Sequence, residues 1–131
     1  MFALWMKSFG VYGETDTDPY GDVDGDTFAS LYEYGVGGNP ADPENSGVAP
    51  KMTRIVQDGE TNYIEYVHVR RYSPANSVSV HPETTSNLIT ADWTNAHYEV
   101  VSSAPIDNEF EIVTNRIDTI DPVRMIRLKV E

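Results

Sequence analysis

Apolar side chains in the first part of the chain recur every three or four residues, as they do on one face of an α-helix. This period predicts one helix over residues 2–12 and a second over residues 28–35, which glycines and the pair Asn39-Pro40 bring to an end. The apolar positions of the first helix are mainly aromatic: Phe2, Trp5, Phe9 and Tyr12. The sequence therefore predicts a helix, a loop and a helix, followed by a linker at residues 41–50.

From Lys51 onward, apolar and polar residues alternate in short runs separated by turn-forming residues. Asp58-Gly59, between the first two runs, is a strong hairpin signal. About seven strands are predicted, at residues 52–56, 61–72, 77–81, 88–93, 98–102, 109–115 and 123–130. The predicted fold class is α+β, mainly β, with a helix–calcium loop–helix at residues 1–46 packed on an antiparallel β-sandwich at residues 47–131. The sandwich is expected to be immunoglobulin or fibronectin III-like, and an open antiparallel sheet or a jelly roll is the alternative.

The loop between the helices has the ligand order of a calcium loop of the EF-hand or dockerin type. Acidic residues alternate with other residues at its start, so that their oxygens face one centre, and a glutamate closes it. The predicted ligands are Asp22, Asp24, Asp26, the Phe28 carbonyl, Ser30 (directly or through water) and a bidentate Glu33. Asp16 and Asp18 are candidates for further oxygen ligands. Thr27 stands where such loops usually have glycine, which predicts a differently bent loop or weaker binding.

Charge and composition favour a cation as the partner of this segment. The chain has a net charge of −12, and the part before Lys51 contains nine acidic residues against one base, Lys7. Such a balance argues against nucleic-acid binding through phosphate contacts. The absence of cysteine removes disulfides, thiol nucleophiles and cysteine metal sites, and no apolar run is long enough to cross a bilayer. The apolar start is a poor signal peptide, so the chain is interpreted either as cytosolic or as the tail of a longer secreted protein.

Several motifs together resemble a known kind of module. Trp5, Phe9-Gly10, the run from Asp22 to Tyr34, and Gly38-Asn39-Pro40 are similar to a segment near the C-terminus of large secreted proteins of Verrucomicrobia and Planctomycetes type. That segment belongs to the dockerin-like and thrombospondin type 3-like group of calcium loops. The resemblance extends over most of the chain, through the strand ending in Arg70-Arg71 to residues 124–130. It implies a non-catalytic, calcium-stabilised module of an exported bacterial protein, extracellular or at the cell surface.

Other interpretations stay open beside this one. A carbohydrate-binding β-sandwich would stack sugar rings on exposed aromatic residues of the β half: Tyr63, Tyr66, Tyr72, Trp93 and Tyr98. A polysaccharide or another protein surface is accordingly a candidate partner. A zinc site would need three histidines that are far apart in sequence: His68, His81 and His97. An enzyme is the third class, but the Gly-x-Ser-x-Gly motif of serine hydrolases is absent, so the sequence favours a protein that is not an enzyme.

Overall fold

The computed structural model describes residues 2–13, 18–72, 78–87, 89–119 and 125–131. These residues form two short helices, α1 (Phe2–Ser8) and α2 (Ser30–Val36), and six strands. The strands are β1 (Lys51–Asp58), β2 (Thr61–Arg71), β3 (Val80–Thr85), β4 (Tyr98–Pro105), β5 (Phe110–Asp118) and β6 (Met125–Val130). Parts of several predictions lie outside the described residues: Asp16, Ser77, Leu88 and residues 123–124.

The strands form two antiparallel sheets, which confirms a mainly β chain with two short helices. One sheet has four strands in the order β1-β2-β5-β4, and the other pairs β3 with β6. The predicted hairpin is confirmed, because β1 and β2 pair from Asp58↔Thr61 outward and Gly59 has a φ of 64° in the turn. Strand β2 is central, with a partner on each side, which explains why apolar residues lie on both of its faces.

Several predicted elements are wrong in extent, and one is wrong in kind. Strands β4 and β5 each run three residues beyond their predicted ends. The first helix ends at Ser8 rather than residue 12, because Gly10 takes a left-handed φ of 80°. The third strand, predicted at residues 77–81, runs from Val80 to Thr85, because each of these residues pairs with a residue of β6. In place of the predicted strand at residues 88–93, the described residues 89–91 form a turn. Ile89 in that turn is 96% exposed, so no burial of its side chain holds the segment in a sheet.

Helix α2 connects the loop to the core. Its C-terminus is closed by Gly37, which has a φ of 85° and donates its N–H to the Glu33 carbonyl. Gly35 allows a close approach to the two-stranded sheet, since a Cβ there would lie 2.9 Å from Val130. Tyr34 belongs to a buried apolar cluster whose other members are Val78, Val80, Phe2, Trp5, Leu31, Leu128 and Val130. A displacement of α2 would therefore disturb the packing of α1 and of the two-stranded sheet.

Ionic and polar side-chain contacts also join the strands. Arg70 pairs with Glu111 at 2.6 Å across β2 and β5, and Arg54 pairs with Glu65 at 2.9 Å across β1 and β2. His68 is 2% exposed, and its Nδ1 lies 3.1 Å from the Asn115 amide nitrogen, which can only donate. Among the described residues, neither helix is long and apolar enough to cross a membrane.

Candidate metal site in the acidic loop

Asp22 organises the backbone of the loop. Its Oδ1 accepts hydrogen bonds from the N–H groups of Gly25 (2.9 Å) and Asp26 (3.2 Å), and its Oδ2 accepts one from the N–H of Thr27 (2.8 Å). A short acceptor at the start of a turn that bonds successive N–H groups is the usual role of aspartate in such loops. The consequence is a tight curve that turns the side chains of Asp24 and Asp26 toward Asp22.

Thr27 takes the conformation that the pattern assigns to glycine. Its φ is 78°, in the left-handed region, and Gly25 two residues earlier has a φ of 76°. The left-handed conformation costs an L-residue about 1–2 kcal/mol, and the β-branched side chain of threonine adds crowding. The hydrogen bond from the Thr27 N–H to Asp22 holds this conformation in place. The loop therefore follows the expected curve and carries strain at one residue.

The three aspartates come together as the spacing predicts. Ligand oxygens of Asp22, Asp24 and Asp26 all lie within 4.8 Å of one another. One oxygen each of Asp24 and Asp26 accepts a backbone N–H of the loop, from Asp26 at 3.2 Å and from Phe28 at 2.8 Å. The other oxygens, Asp24 Oδ2 and Asp26 Oδ2, are buried and have no hydrogen-bond partner in the described part of the chain. Oxygens of this kind are costly to bury unless a cation or a donor meets them.

The first turn of α2 presents two more buried oxygens. Ser30 is 0% exposed and Glu33 is 1% exposed. Within the described residues, Ser30 Oγ and Glu33 Oε1 also lack a hydrogen-bond partner. Burial is the largest cause that raises the pKa of Glu33, and together with the negative charges of Asp24, Asp26 and Asp22 it raises this pKa to about 8. Burial is also the main cause that raises the pKa of Asp24.

The loop and α2 are joined through the backbone as well. Ala29 precedes the helix but gives it no side-chain cap. The N–H of Ser30 instead donates to the Gly21 carbonyl (2.9 Å), and the N–H of Leu31 donates to the Pro19 carbonyl (2.8 Å). These carbonyls have no signature in the sequence, because any residue supplies the same atom. They fix the position of the helical carboxylate relative to the aspartates.

Not every predicted ligand is equally placed. Glu33 is not among the residues whose ligand atoms meet within 4.8 Å, although its charge interacts with all three aspartates. The side chain of Phe28 is exposed and stacks on Tyr32 with ring centroids 5.1 Å apart, and the role of its carbonyl stays a prediction. Asp18 is exposed, and its Oδ1 accepts the N–H of Tyr20 at 3.0 Å, so it serves a neighbouring turn.

The alternative sites predicted from sequence are more dispersed. Where the chain is described, no metal-type cluster includes His68, His81 or His97. His81 Nε2 lies 3.9 Å from a Glu131 oxygen, and His97 is exposed. The five aromatic residues that the carbohydrate-binding interpretation names are buried or half-buried: Tyr63, Tyr66, Tyr72, Trp93 and Tyr98. Arg127 covers the Trp93 ring at 4.3 Å, so these residues do not present a row of open rings.

The donor set of the loop consists of oxygen atoms only. Carboxylates and a hydroxyl are ligands for hard divalent cations. The site carries up to four negative charges, from Asp22, Asp24, Asp26 and Glu33, without a cationic side chain among them. No protein-family model, no curated protein and no solved structure matches the chain.

Proposed function

We propose that this chain is a calcium-binding, non-catalytic structural or interaction module, and that the ion binds between the acidic loop and α2. One observation carries the proposal. Five buried side-chain oxygens lack hydrogen-bond partners within the described residues, and four of the five belong to predicted ligands: Asp24, Asp26, Ser30 and Glu33. An isolated acidic turn would expose such atoms to water, whereas these atoms are withdrawn from it at a cost that a bound cation offsets.

Calcium suits this arrangement better than magnesium. Calcium takes six to eight oxygen ligands with flexible geometry, whereas magnesium requires near-octahedral ligands and keeps several waters. The loop supplies ligands at alternate positions, and α2 supplies the others. The distances from these ligands to a common centre are therefore unequal before binding. The strain at Thr27 favours an affinity in the range of extracellular calcium modules, about 10⁻⁴–10⁻³ M.

The ion would act by assembly. Crowded carboxylates repel one another, and a divalent cation converts this repulsion into attraction between the loop and Glu33 of α2. Because α2 also carries Tyr34 into the apolar cluster and Gly35 against the two-stranded sheet, binding at the loop would stabilise the packing of the β half. Binding free energy that requires the folded arrangement appears as folding free energy.

The proposal extends to the setting and to the finer fold. It assigns the module to an exported bacterial protein, with a polysaccharide or another protein surface as partner, in line with the resemblance of the loop. It also assigns the two sheets to the two layers of an immunoglobulin or fibronectin III-like sandwich. The proximity of the His68 ring on β2 to Val80 and His81 on β3 supports this second assignment.

Thermal unfolding with calcium and then with a chelator tests the proposal. At a calcium concentration of about 100 times the Kd, the free energy of unfolding is expected to rise by about 2.7 kcal/mol. The rise should disappear with EDTA and in Asp24→Ala, and it should persist in Glu44→Gln, which removes an exposed charge nearby. Equal melting temperatures with calcium and with EDTA, at calcium concentrations of about 10 mM, would contradict the proposal.

A further inference from the structure

A pocket lies away from the acidic loop, where α1 and the C-terminus of α2 meet β2 and β5. Its volume is about 300 Å³. Three aromatic side chains line it: Trp5, Phe9 and Phe110. Three polar side chains complete its lining: Ser8, Arg71 and Glu109. The backbone at Gly37 and Gly38 completes the wall. Pockets that bind small ligands begin at about this size and combine apolar walls with a few placed polar groups.

The aromatic wall is formed by α1 and the residue that follows it. Trp5 and Phe9 lie edge to face, with ring centroids 5.4 Å apart and an angle of 73° between their planes. Phe9 is 37% exposed, so part of its ring remains open to solvent. An aromatic face attracts the slightly positive C–H groups of a ligand because its π system is negative at the face.

The polar wall is an ion pair of unequal exposure. Arg71 is 7% exposed, and its guanidinium lies 4.0 Å from the centroid of the Tyr34 ring and 4.5 Å from that of Phe110. Its Nε donates to the Tyr34 carbonyl at 2.8 Å, and its Nη1 donates to Glu109, whose side chain is 65% exposed. The rings hold the guanidinium in a fixed plane, so its donors are preorganised for a ligand.

The charges of the pocket select the ligand class. An anion would be attracted to Arg71 but repelled by Glu109, and a cation would be attracted to Glu109 but repelled by Arg71. Neither ion therefore gains much binding free energy from the pair. A neutral molecule with several hydroxyls can accept from the guanidinium and donate to the carboxylate without separating them. Ser8 Oγ donates to the Trp5 carbonyl at 2.6 Å and keeps its lone pairs for a further donor.

From this juxtaposition of the exposed Phe9 ring with a rigidly held arginine–glutamate pair, we infer that the pocket binds one gluco-configured sugar ring. Equatorial hydroxyls point outward from such a ring and leave two apolar C–H faces, one of which meets the exposed face of Phe9. The site differs from the row of β-half aromatics that the sequence suggests, and it does not depend on the calcium loop.

Tryptophan emission provides the test. The chain has two tryptophans, so Trp93→Phe leaves Trp5 as the reporter inside the pocket. Titration of this calcium-treated protein with cellotriose is expected to give a saturable change with a Kd on the order of 1 mM, because a single open pocket offers few contacts. Benzoate and choline, as an aromatic anion and a cation, should give no saturable change at the same concentrations.

Variants separate the pocket from the rest of the surface. Phe9→Ala is expected to weaken cellotriose binding about tenfold, the equivalent of one lost aromatic contact. Glu109→Gln keeps the shape and should weaken it severalfold, whereas Tyr20→Ala, at a 76% exposed aromatic outside the pocket, should leave it unchanged. The inference is overturned if cellotriose gives no saturable change up to about 100 mM, if Phe9→Ala binds as well as the parent, or if benzoate or choline binds more tightly. The titration is repeated in EDTA with a folded sample. Sugar binding can then be measured even if the calcium proposal fails.

Discussion

Glu33→Gln is the substitution whose effect depends most directly on what occupies the acidic loop. The side chain is 1% exposed and interacts with three negative charges, so without a cation its ionised form is strongly disfavoured. Glutamine has nearly the same shape and no charge. The substitution should therefore stabilise the protein in a chelator, although the same substitution should abolish the stabilisation by calcium.

The magnitude follows from the pKa of Glu33. Its ordinary value is 4.5, and burial together with the aspartates raises it to about 8. A carboxyl whose folded pKa is raised contributes stability that is fully present below the ordinary pKa and is lost as the pH rises toward 8. Each pKa unit corresponds to about 1.4 kcal/mol, so at pH 7 the cost of Glu33 is at most about 3 kcal/mol. Glu33→Gln is expected to recover up to this amount in EDTA.

Urea unfolding at pH 7 measures this effect, with each protein examined in EDTA and in calcium. The parent should gain about 2.7 kcal/mol from calcium at 100 times the Kd, and Glu33→Gln should gain little. Glu60→Gln, which removes an exposed carboxylate in the β1–β2 turn, is the matched control and should behave as the parent in both conditions.

Two results would refute the reasoning. If Glu33→Gln is less stable than the parent in EDTA, the Glu33 carboxylate has a stabilising partner that its burial and its aspartate neighbours do not show. If calcium stabilises Glu33→Gln as much as the parent, the ion does not use the helical carboxylate. In the second case the coupling between the loop and α2 would have to be abandoned, even if calcium binds to the aspartates.

Three further predictions concern other residues. Thr27→Gly should raise the unfolding free energy by about 0.5–1 kcal/mol, since relief of the left-handed strain exceeds the entropy cost of glycine; no change or a loss in urea unfolding would mean that Thr27 is unstrained. Burial is the main cause that lowers the pKa of His68 to about 4. Its contribution to stability is therefore complete above pH 6.5 and falls by about 3 kcal/mol as the pH drops toward 4. The difference in unfolding free energy between the parent and His68→Gln should show this slope, and parallel pH profiles would contradict it. Arg71→Lys should cost about 2 kcal/mol, because lysine loses both ring contacts and the planar donors. Arg54→Lys, at an arginine whose side chain is largely exposed, should cost less than about 1 kcal/mol. Equal losses in urea would show that the rings around Arg71 contribute nothing.

Local signals account for the parts of the fold that the sequence predicts well. Asp58-Gly59 specifies the first hairpin because the turn needs a residue with positive φ. The strand predicted at residues 61–72 is observed as β2, which ends one residue earlier. The segment at residues 88–93 shows the limit of such reasoning. Its apolar residues match a strand, but Ile89 finds nothing to pack against, and the chain turns there instead.

For the candidate site, the sequence by itself determines the order of the oxygens. Alternate aspartates followed by a helical glutamate specify which side chains turn toward a common centre, because the spacing involves only a short stretch of backbone. The tertiary structure decides the burial: Ser30 and Glu33 lie against the core at one end of α2, and this raises the pKa of Glu33 and removes water from its oxygens. The tertiary structure also decides which aromatics stay open. Exposure depends on distant neighbours such as Arg127 over Trp93, and no local pattern records where those neighbours will lie.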